Sequence, residues 1–252
     1  LQTVAVDYNN LPALKKALLE EPLEAGLVQY TRQQPGDNYD LATVLAAFKE
    51  RAIPTLTDDN YAVLRAAKNG VECGADLSAF SMFKLLGPEG IGCVVGKKRY
   101  IEKIVAANYS GGGQVQGHEA LACLRGMIYA PVALAIQGRV VDETCKRLQA
   151  GEVAGVRDAI IVNAQSKVLL VEFIQPVADQ VLAAAEKLGA APHPVGSESK
   201  YEFVPMFYRI SGTFRAFDPT LEQRMIRINP MRGGTETILK ILKEALAAVE
   251  NK

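Results

Sequence analysis

At 252 residues, 49% of them apolar, the chain can bury one large core or a main domain with a smaller satellite. Its 28 basic and 28 acidic side chains cancel to a formal net charge of zero, which gives no electrostatic reason to expect nucleic acid or an anionic membrane as partner. No apolar run reads as long enough to span a bilayer and no leader pattern opens the chain, so the expected location is the cytoplasm.

"TVAVD" (3–7) reads as a buried strand. The chain enters it almost directly from Leu1, so an N-terminally shortened chain is expected. "NNLPALKKALLEE" (9–21) follows as a helix, capped by Asn9 or Asn10 with Pro12 in its first turn. "AGLVQYTRQ" (25–33) is a second strand, "DLATVLAAFKER" (40–51) a second helix capped by Asp40, and "AIPTLTDD" (52–59) a third strand. This alternation predicts parallel βαβ units, with the carboxyl ends of the strands on one edge, where open α/β sheets bind ligands.

"YAVLRAAKNG" (61–70) is predicted as a short helix, and "ADLSAFSMF" (75–83) and "GIGCVVGK" (90–97) as strands around a Gly/Pro turn. A helix over 98–108, the glycine-rich "SGGGQVQG" (110–117) and a long helix from His118 to about Leu148 complete the first part. From 158 onward a β-rich pair, a helix over 176–190, strands "YEFVPMFYRIS" and "RMIRINP", and a closing amphipathic helix from Thr235, capped there or at Gly234, describe a smaller unit. The expected fold class is thus α/β, a mainly parallel sheet with flanking helices over residues 1–135, followed by a smaller α+β domain over 136–252.

Three strand ends of the first sheet carry polar groups: Arg32, Gln33 and Gln34; Asp58 and Asp59; and Ser81 with Lys84. A lysine held in apolar surroundings exposes more free amine, which attacks carbonyls, and a neighbouring carboxylate can hold a cationic ring nitrogen. A hydroxyl and backbone amides suit a phosphate. Singly, each has an ordinary explanation: a turn lysine, a helix cap, a hairpin-like "GPEGIG". Their joint order is what pyridoxal phosphate needs. The four cysteines form no C-x-x-C pair, and with only His118 and His193 available no zinc site is expected. Cys93 reads as a small buried strand residue.

The order "TLTDDNY", then Ser81-Met82-Phe83-Lys84, then Gly87-Pro88-Glu89-Gly90-Ile91-Gly92, then "SGGGQ" (110–114) resembles the fold-type I pyridoxal-phosphate enzymes, particularly the class V aminotransferase and cysteine desulfurase branch. Within it the chain is similar to an uncharacterised set of predicted transaminases. The strong motifs lie between about Thr55 and Gln114. The resemblance implies a Schiff-base lysine at Lys84, a pyridinium partner at Asp58 with Asp59 the second choice, and a phosphate ligand at Ser81. It places the substrate carboxylate on Arg227, with Arg232 as runner-up; a planar guanidinium suits a carboxylate because two parallel hydrogen bonds form together.

The implied activity is that of a transaminase or lyase acting on a small amino acid. The implied assembly is a homodimer, with "SGGGQVQG" reaching the partner. Phe83 departs from the histidine that desulfurases carry before the lysine, and Cys145 lies on a predicted helix rather than a mobile loop, so sulfur transfer is not expected. His118 is expected to cap or pack at its helix start. The family carries a phosphate-cupping turn and a ring-stacking residue ahead of the strand matched by "TVAVD", so weak or absent cofactor binding is expected of the short chain. The alternative is a truncated or degenerate non-catalytic member that retains dimerisation or ligand binding. A nucleotide- or sugar-binding α/β domain with "SGGGQ" as its phosphate loop leaves the S-x-x-K segment unexplained.

Overall fold

Three short parallel strands and one antiparallel strand build the first sheet of the computed structural model, which describes residues 2–31, 38–109, 113–162, 167–192 and 203–250. β1 (Gly26–Gln29), β2 (Thr55–Asp58), β3 (Leu77–Ser81) and β4 (Gly92–Gly96) lie side by side in chain order, β4 running against β3. α1 (Leu11–Glu20), ahead of β1, and α2 (Leu41–Glu50), between β1 and β2, start at side-chain caps: Asn10 Oδ1 accepts from Ala13 N at 3.1 Å and Asp40 Oδ2 from Thr43 N at 2.8 Å. Each cap satisfies one of the orphan amides of a helix start.

The face toward α1 and α2 is closed by Leu14, Leu18, Val28, Leu45 and Phe48. Gly26 has to lack a side chain here, because a Cβ would stand 2.3 Å from the Phe48 ring. On the β3–β4 side the same face continues through Phe80, Cys93 and Val95 to α4. The opposite face stays open, with Leu27 63% and Val94 40% exposed.

Three expectations for this part of the chain change. "TVAVD" is extended chain without a ladder; none of its described backbone groups pairs with a strand, although Val6 packs on the α1–α2 core. A β-rich composition makes a strand only where a neighbour completes the hydrogen bonds. "YAVLRAAKNG" forms successive turns rather than a helix, with Tyr61 and Leu64 at φ of 64° and 61°. The strand expected through Phe83 stops at Ser81, and Met82–Leu85 wind into a 3₁₀ turn. Arg32, Gln33, Gln34 and Ser110 to Gly112 lie outside the described residues.

α3 (Lys98–Ala107) leads to α4 (Gly117–Gln149), 33 residues long. Its N-cap is Gln116, joined to Glu119 in a reciprocal capping box, while His118 is exposed and neither caps nor packs as expected. Against the reading that no run is long enough, α4 is by length and composition apolar enough to cross a membrane. In the fold it is the shared wall of two cores: Cys123, Ala130 and Leu134 pack on the 3₁₀ turn, Val141, Cys145 and Leu148 on the second sheet. The division expected at 135/136 falls inside this helix.

The second sheet is fully antiparallel, in the order β5 (Val156–Val162), β6 (Val168–Phe173), β8 (Met225–Asn229), β7 (Met206–Arg209). α5 (Ala178–Lys187) and α8 (Thr235–Glu250) bury one of its faces through Leu169, Val171, Phe173, Phe207, Ile226 and Ile228. Each such side chain contributes about 1.5–3 kcal/mol on burial. Two short helices absent from the sequence reading, α6 (Gly212–Phe217) and α7 (Leu221–Arg224), accompany the other face, where Leu170, Phe214 and Met225 pack. A buried hydrogen bond from Gln137 Nε2 to Asn229 Oδ1 ties α4 to the end of β8.

At the entry to β2, Asp76 accepts from Thr55 N at 2.9 Å and pairs with Lys97 Nζ at 2.6 Å. Burial alone would raise its pKa; the Lys97 and Thr55 hydrogen bonds and the charges of Lys97 and Arg99 outweigh it and lower the net value below 3.8. A folded-state pKa below the unfolded one adds stability that is complete above the ordinary carboxylate range and disappears as pH falls through the depressed value. Asp76→Asn is therefore expected to cost about 1–2 kcal/mol at pH 7 and nearly nothing at a pH below the depressed value. Urea unfolding midpoints at the two pH values check it; an equal cost at both would contradict the assignment.

Candidate functional site

The alternation of β2 puts Leu56 and Asp58 on the open face and Thr57 and Asp59 on the covered one. Register carries this across the sheet: Asp58 stands beside Ala79, and Ser81 is two residues farther along the same face. Asp58 and Ser81 consequently line one cleft of about 450 Å³ with Leu27, Leu56, Ala79 and Val94. Asp59 points away from it, is 0% exposed, and accepts from Gly70 N at 2.7 Å. That hydrogen bond closes the turn after the strand.

One turn connects the predicted residues. Asn60 N donates to Asp58 Oδ1 at 3.0 Å, and Asn60 Oδ1 accepts from Ser81 N at 2.8 Å. The Asn60 carbonyl accepts from Thr31 Oγ1 at 2.7 Å, anchoring the turn to the end of β1. Next in the chain, Tyr61 Oη lies 2.6 Å from Lys84 Nζ, whose ammonium also sits 4.4 Å from the Tyr61 ring centroid. Asp58, Ser81 and Lys84 are thus each held by the segment 58–61. Lys84 does not itself line the Asp58 cleft; it is half-buried on the 3₁₀ turn beyond it, where Phe83 offers its ring 5.6 Å away.

The lysine turn is rigid for identifiable reasons. Met82 and Leu85 are buried, Leu86 takes a left-handed φ of 62°, and Gly87 N returns to the Met82 carbonyl at 2.9 Å. Met82 N reaches the Ile91 carbonyl at 2.9 Å, so "GPEGIG" folds back on the turn it follows. Asn60 and Tyr61 were missed by sequence reasoning. The available signal was an asparagine at a strand end, a residue type that bonds neighbouring backbone in turns.

Arg227 lies elsewhere. It occupies β8 in register with Leu170 and Tyr208, its guanidinium carbon 4.3 Å from the Tyr208 ring centroid, and its Nε donates to the Arg209 carbonyl at 2.9 Å. It lines a second cleft of about 630 Å³ with Tyr208, Ser211 and Arg215, and the two clefts share no lining residue. The Ser211 hydroxyl in that cleft is buried without a hydrogen-bond partner among the described residues. Arg232 sits on the turn after β8, against the Phe203 ring at 5.8 Å. The fold unites Asp58, Ser81 and Lys84 and does not bring either arginine among them.

Cys93 borders the Asp58 cleft, whereas Cys73, Cys123 and Cys145 do not line it. Cys93 is half-buried on β4 rather than fully buried, and burial pushes its thiol up, with Cys123 nearby adding to the shift. Cys145 is buried in α4, its thiol also pushed up by burial, and donates to the Ala159 carbonyl at 3.3 Å. Protonated, packed thiols are poor nucleophiles. Among the described residues no cluster of His, Cys, Asp or Glu could hold a metal ion.

A carboxylate facing an open cleft, a hydroxyl on the same face and a tethered amine one turn away form a donor set that fits pyridoxal phosphate: an anion for a cationic ring nitrogen, an amine for a carbonyl, a hydroxyl for phosphate.

Residues 16–123 match the family model of class-V aminotransferases, and residues 142–242 that of the YhfS-like C-terminal domain. The uncharacterized protein YhfS of Escherichia coli (strain K12) is 54% identical over 249 residues, covering 99% of this chain and 69% of that protein. The crystal structure of YhfS from Escherichia coli, described as a pyridoxal-5'-phosphate dependent protein, superposes with a TM-score of 0.95 over 98% of this chain and 69% of that one. A cystathionine gamma lyase, CalE6, from Micromonospora echinospora gives 0.75 at 16% identity over 96% of this chain and 68% of its own. Cystathionine gamma synthase from Xanthomonas oryzae pv. oryzae gives 0.75 at 18% identity, covering 98% and 69%. The last two speak for the fold alone.

Proposed function

We infer that this chain, which belongs to the YhfS family of fold-type I pyridoxal-phosphate-dependent proteins, is an aminotransferase or lyase acting on a small amino acid, with Lys84 as its cofactor anchor. The observation that carries this reading is the turn at 58–61, which holds an open-face carboxylate, the Ser81 amide and the Lys84 amine in one hydrogen-bonded unit.

Asp58, Ser81 and Lys84 are the residues that would hold pyridoxal phosphate. Bound there, the cofactor supplies an electron sink that weakens the bonds at the substrate's α-carbon. Asp58 offers a negative charge for the ring nitrogen, and its Asn60 hydrogen bond fixes which carboxylate oxygen remains available. Ser81 presents its hydroxyl from the last position of β3, with its amide already satisfied by Asn60. The Lys84 amine serves as attachment point and as the group that moves a proton; its hydrogen bond to Tyr61 sets where that proton is held.

Arg227 is the proposed ligand of the substrate carboxylate, with Arg232 as the alternative. Its Nε is occupied by the Arg209 carbonyl, which leaves the terminal nitrogens for an anion; because it lines a cleft apart from that of Asp58 and Ser81, this assignment rests on the family resemblance. Assembly as a homodimer is part of the proposal. The exposed stripe Leu121, Leu124, Ile128, Val132 and Ile136 on α4 supports it, because apolar rows of this length are normally covered.

Titration of the full-length protein with pyridoxal phosphate is expected to produce an absorbance band at the visible edge, and borohydride to fix the cofactor on the peptide carrying Lys84. An adduct that maps to another lysine, or none at all, would overturn the reading. Amino acids that shift the band would then define the substrate.

A further inference from the structure

We propose that Tyr61 is the positioning residue of Lys84, holding its amine through the phenolic oxygen. One short contact holds the nitrogen, a 2.6 Å hydrogen bond to Oη, with the ring centroid 4.4 Å away behind that oxygen. Long lysine side chains ordinarily sample many rotamers, and fixing one costs up to ~2 kcal/mol of conformational entropy. A lone hydrogen bond to a mobile partner would not hold it. Tyr61 is not mobile. It follows Asn60, whose backbone and side chain are tied to Asp58, Ser81 and Thr31, so the phenol is aimed from an anchored turn.

The backbone of Tyr61 shows what this placement requires. Its φ of 64° lies in the left-handed region, which a bulky aromatic residue seldom adopts. An asparagine or glycine would satisfy the same turn without that cost. Strain retained at a residue that touches the reactive amine is the pattern of a functional constraint. Arg65, whose guanidinium carbon is 5.5 Å from the same ring centroid, also packs on the phenol. Tyr61 thereby sets both the position and the accessible directions of the Lys84 amine. The purpose of this device rests on Lys84 being the cofactor anchor; the device itself rests on geometry alone.

Limited acetylation with acetic anhydride, read by peptide mass spectrometry, tests it without cofactor. The measured quantity is labelling of Lys84 relative to Lys98, whose side chain is 88% exposed. Tyr61→Phe keeps the ring and removes the acceptor, and is expected to raise that ratio about 5–10-fold, with melting temperature and the labelling of other lysines unchanged. Tyr61→Asn, suited to the left-handed backbone, is expected to give at least the same rise and serves if the phenylalanine variant does not fold. An unchanged ratio in the folded variants overturns the proposal, as does an equal rise at every lysine, which would mean general loosening. A separate arm treats the full-length wild-type protein with pyridoxal phosphate and borohydride. Absence of a Lys84 adduct there, together with the selective rise in acetylation, removes the function proposed above and leaves the positioning role standing.

Discussion

Lys84→Ala is expected to leave a folded protein that no longer fixes pyridoxal phosphate. The packing of the 3₁₀ turn is supplied by Met82 and Leu85, 3% and 1% exposed, whereas Lys84 is only half-buried and contributes its amine to Tyr61. Truncating it removes that contact, one hydrogen bond to a charged group with both partners near solvent, at about 1 kcal/mol or less. Turnover of any amino-acid substrate, by contrast, loses the attachment point and the proton-moving group together, and is expected to fall by at least ~10²–10⁴-fold. The borohydride adduct should vanish from the peptide map while the melting curve stays close to wild type. An adduct of undiminished yield in Lys84→Ala would show that another amine serves. A collapse of the fold would show instead that the turn depends on its lysine.

Gly126→Ala should be strongly destabilising although it lies in a helix. In a helix interior the exchange normally gains up to ~1 kcal/mol, so a loss has to come from contact. A Cβ at Gly126 would stand 2.7 Å from the Leu85 carbonyl oxygen, 2.9 Å from Gly87 N and 2.9 Å from the Leu86 carbonyl carbon. All three are backbone atoms of the lysine turn and have no rotamer to escape into. Either α4 withdraws or the turn shifts, at a net cost of about 2–3 kcal/mol and a melting temperature lower by roughly 4–12 °C. The shift would also disturb the Lys84–Tyr61 contact, so cofactor trapping should slow in parallel. Gly117→Ala, at the first residue of the same helix, meets nothing within 4 Å and is the control; it should be neutral or slightly stabilising. Equal melting of the two variants would contradict the close approach.

These expectations mark where sequence reading worked and where it stopped. Caps, apolar periodicity and turn residues are local properties, which is why α1 at Asn10, α2 at Asp40, β2 before its aspartates and α8 near Thr235 were legible. The joint order of an acidic strand end, S-x-x-K and "GPEGIG" pointed to Asp58, Ser81 and Lys84 before any coordinates. The failures share a different cause. "TVAVD" has strand composition without a pairing partner, and "YAVLRAAKNG" has helical spacing, yet Tyr61 and Leu64 take left-handed backbone to turn the chain around the site. α6 and α7 are too short to leave a periodic signal.

By itself, the sequence determined which chemical groups the site can contain and the order in which strands deliver them, because propensity, capping and side-chain type act within a few residues. The period of two also placed Asp58 and Asp59 on opposite faces. Only the tertiary structure decided which face is open, since that depends on where α1, α2 and α4 pack against the sheet. The same long-range packing brought Tyr61 onto an amine 23 residues away and left Arg227 lining a different cleft.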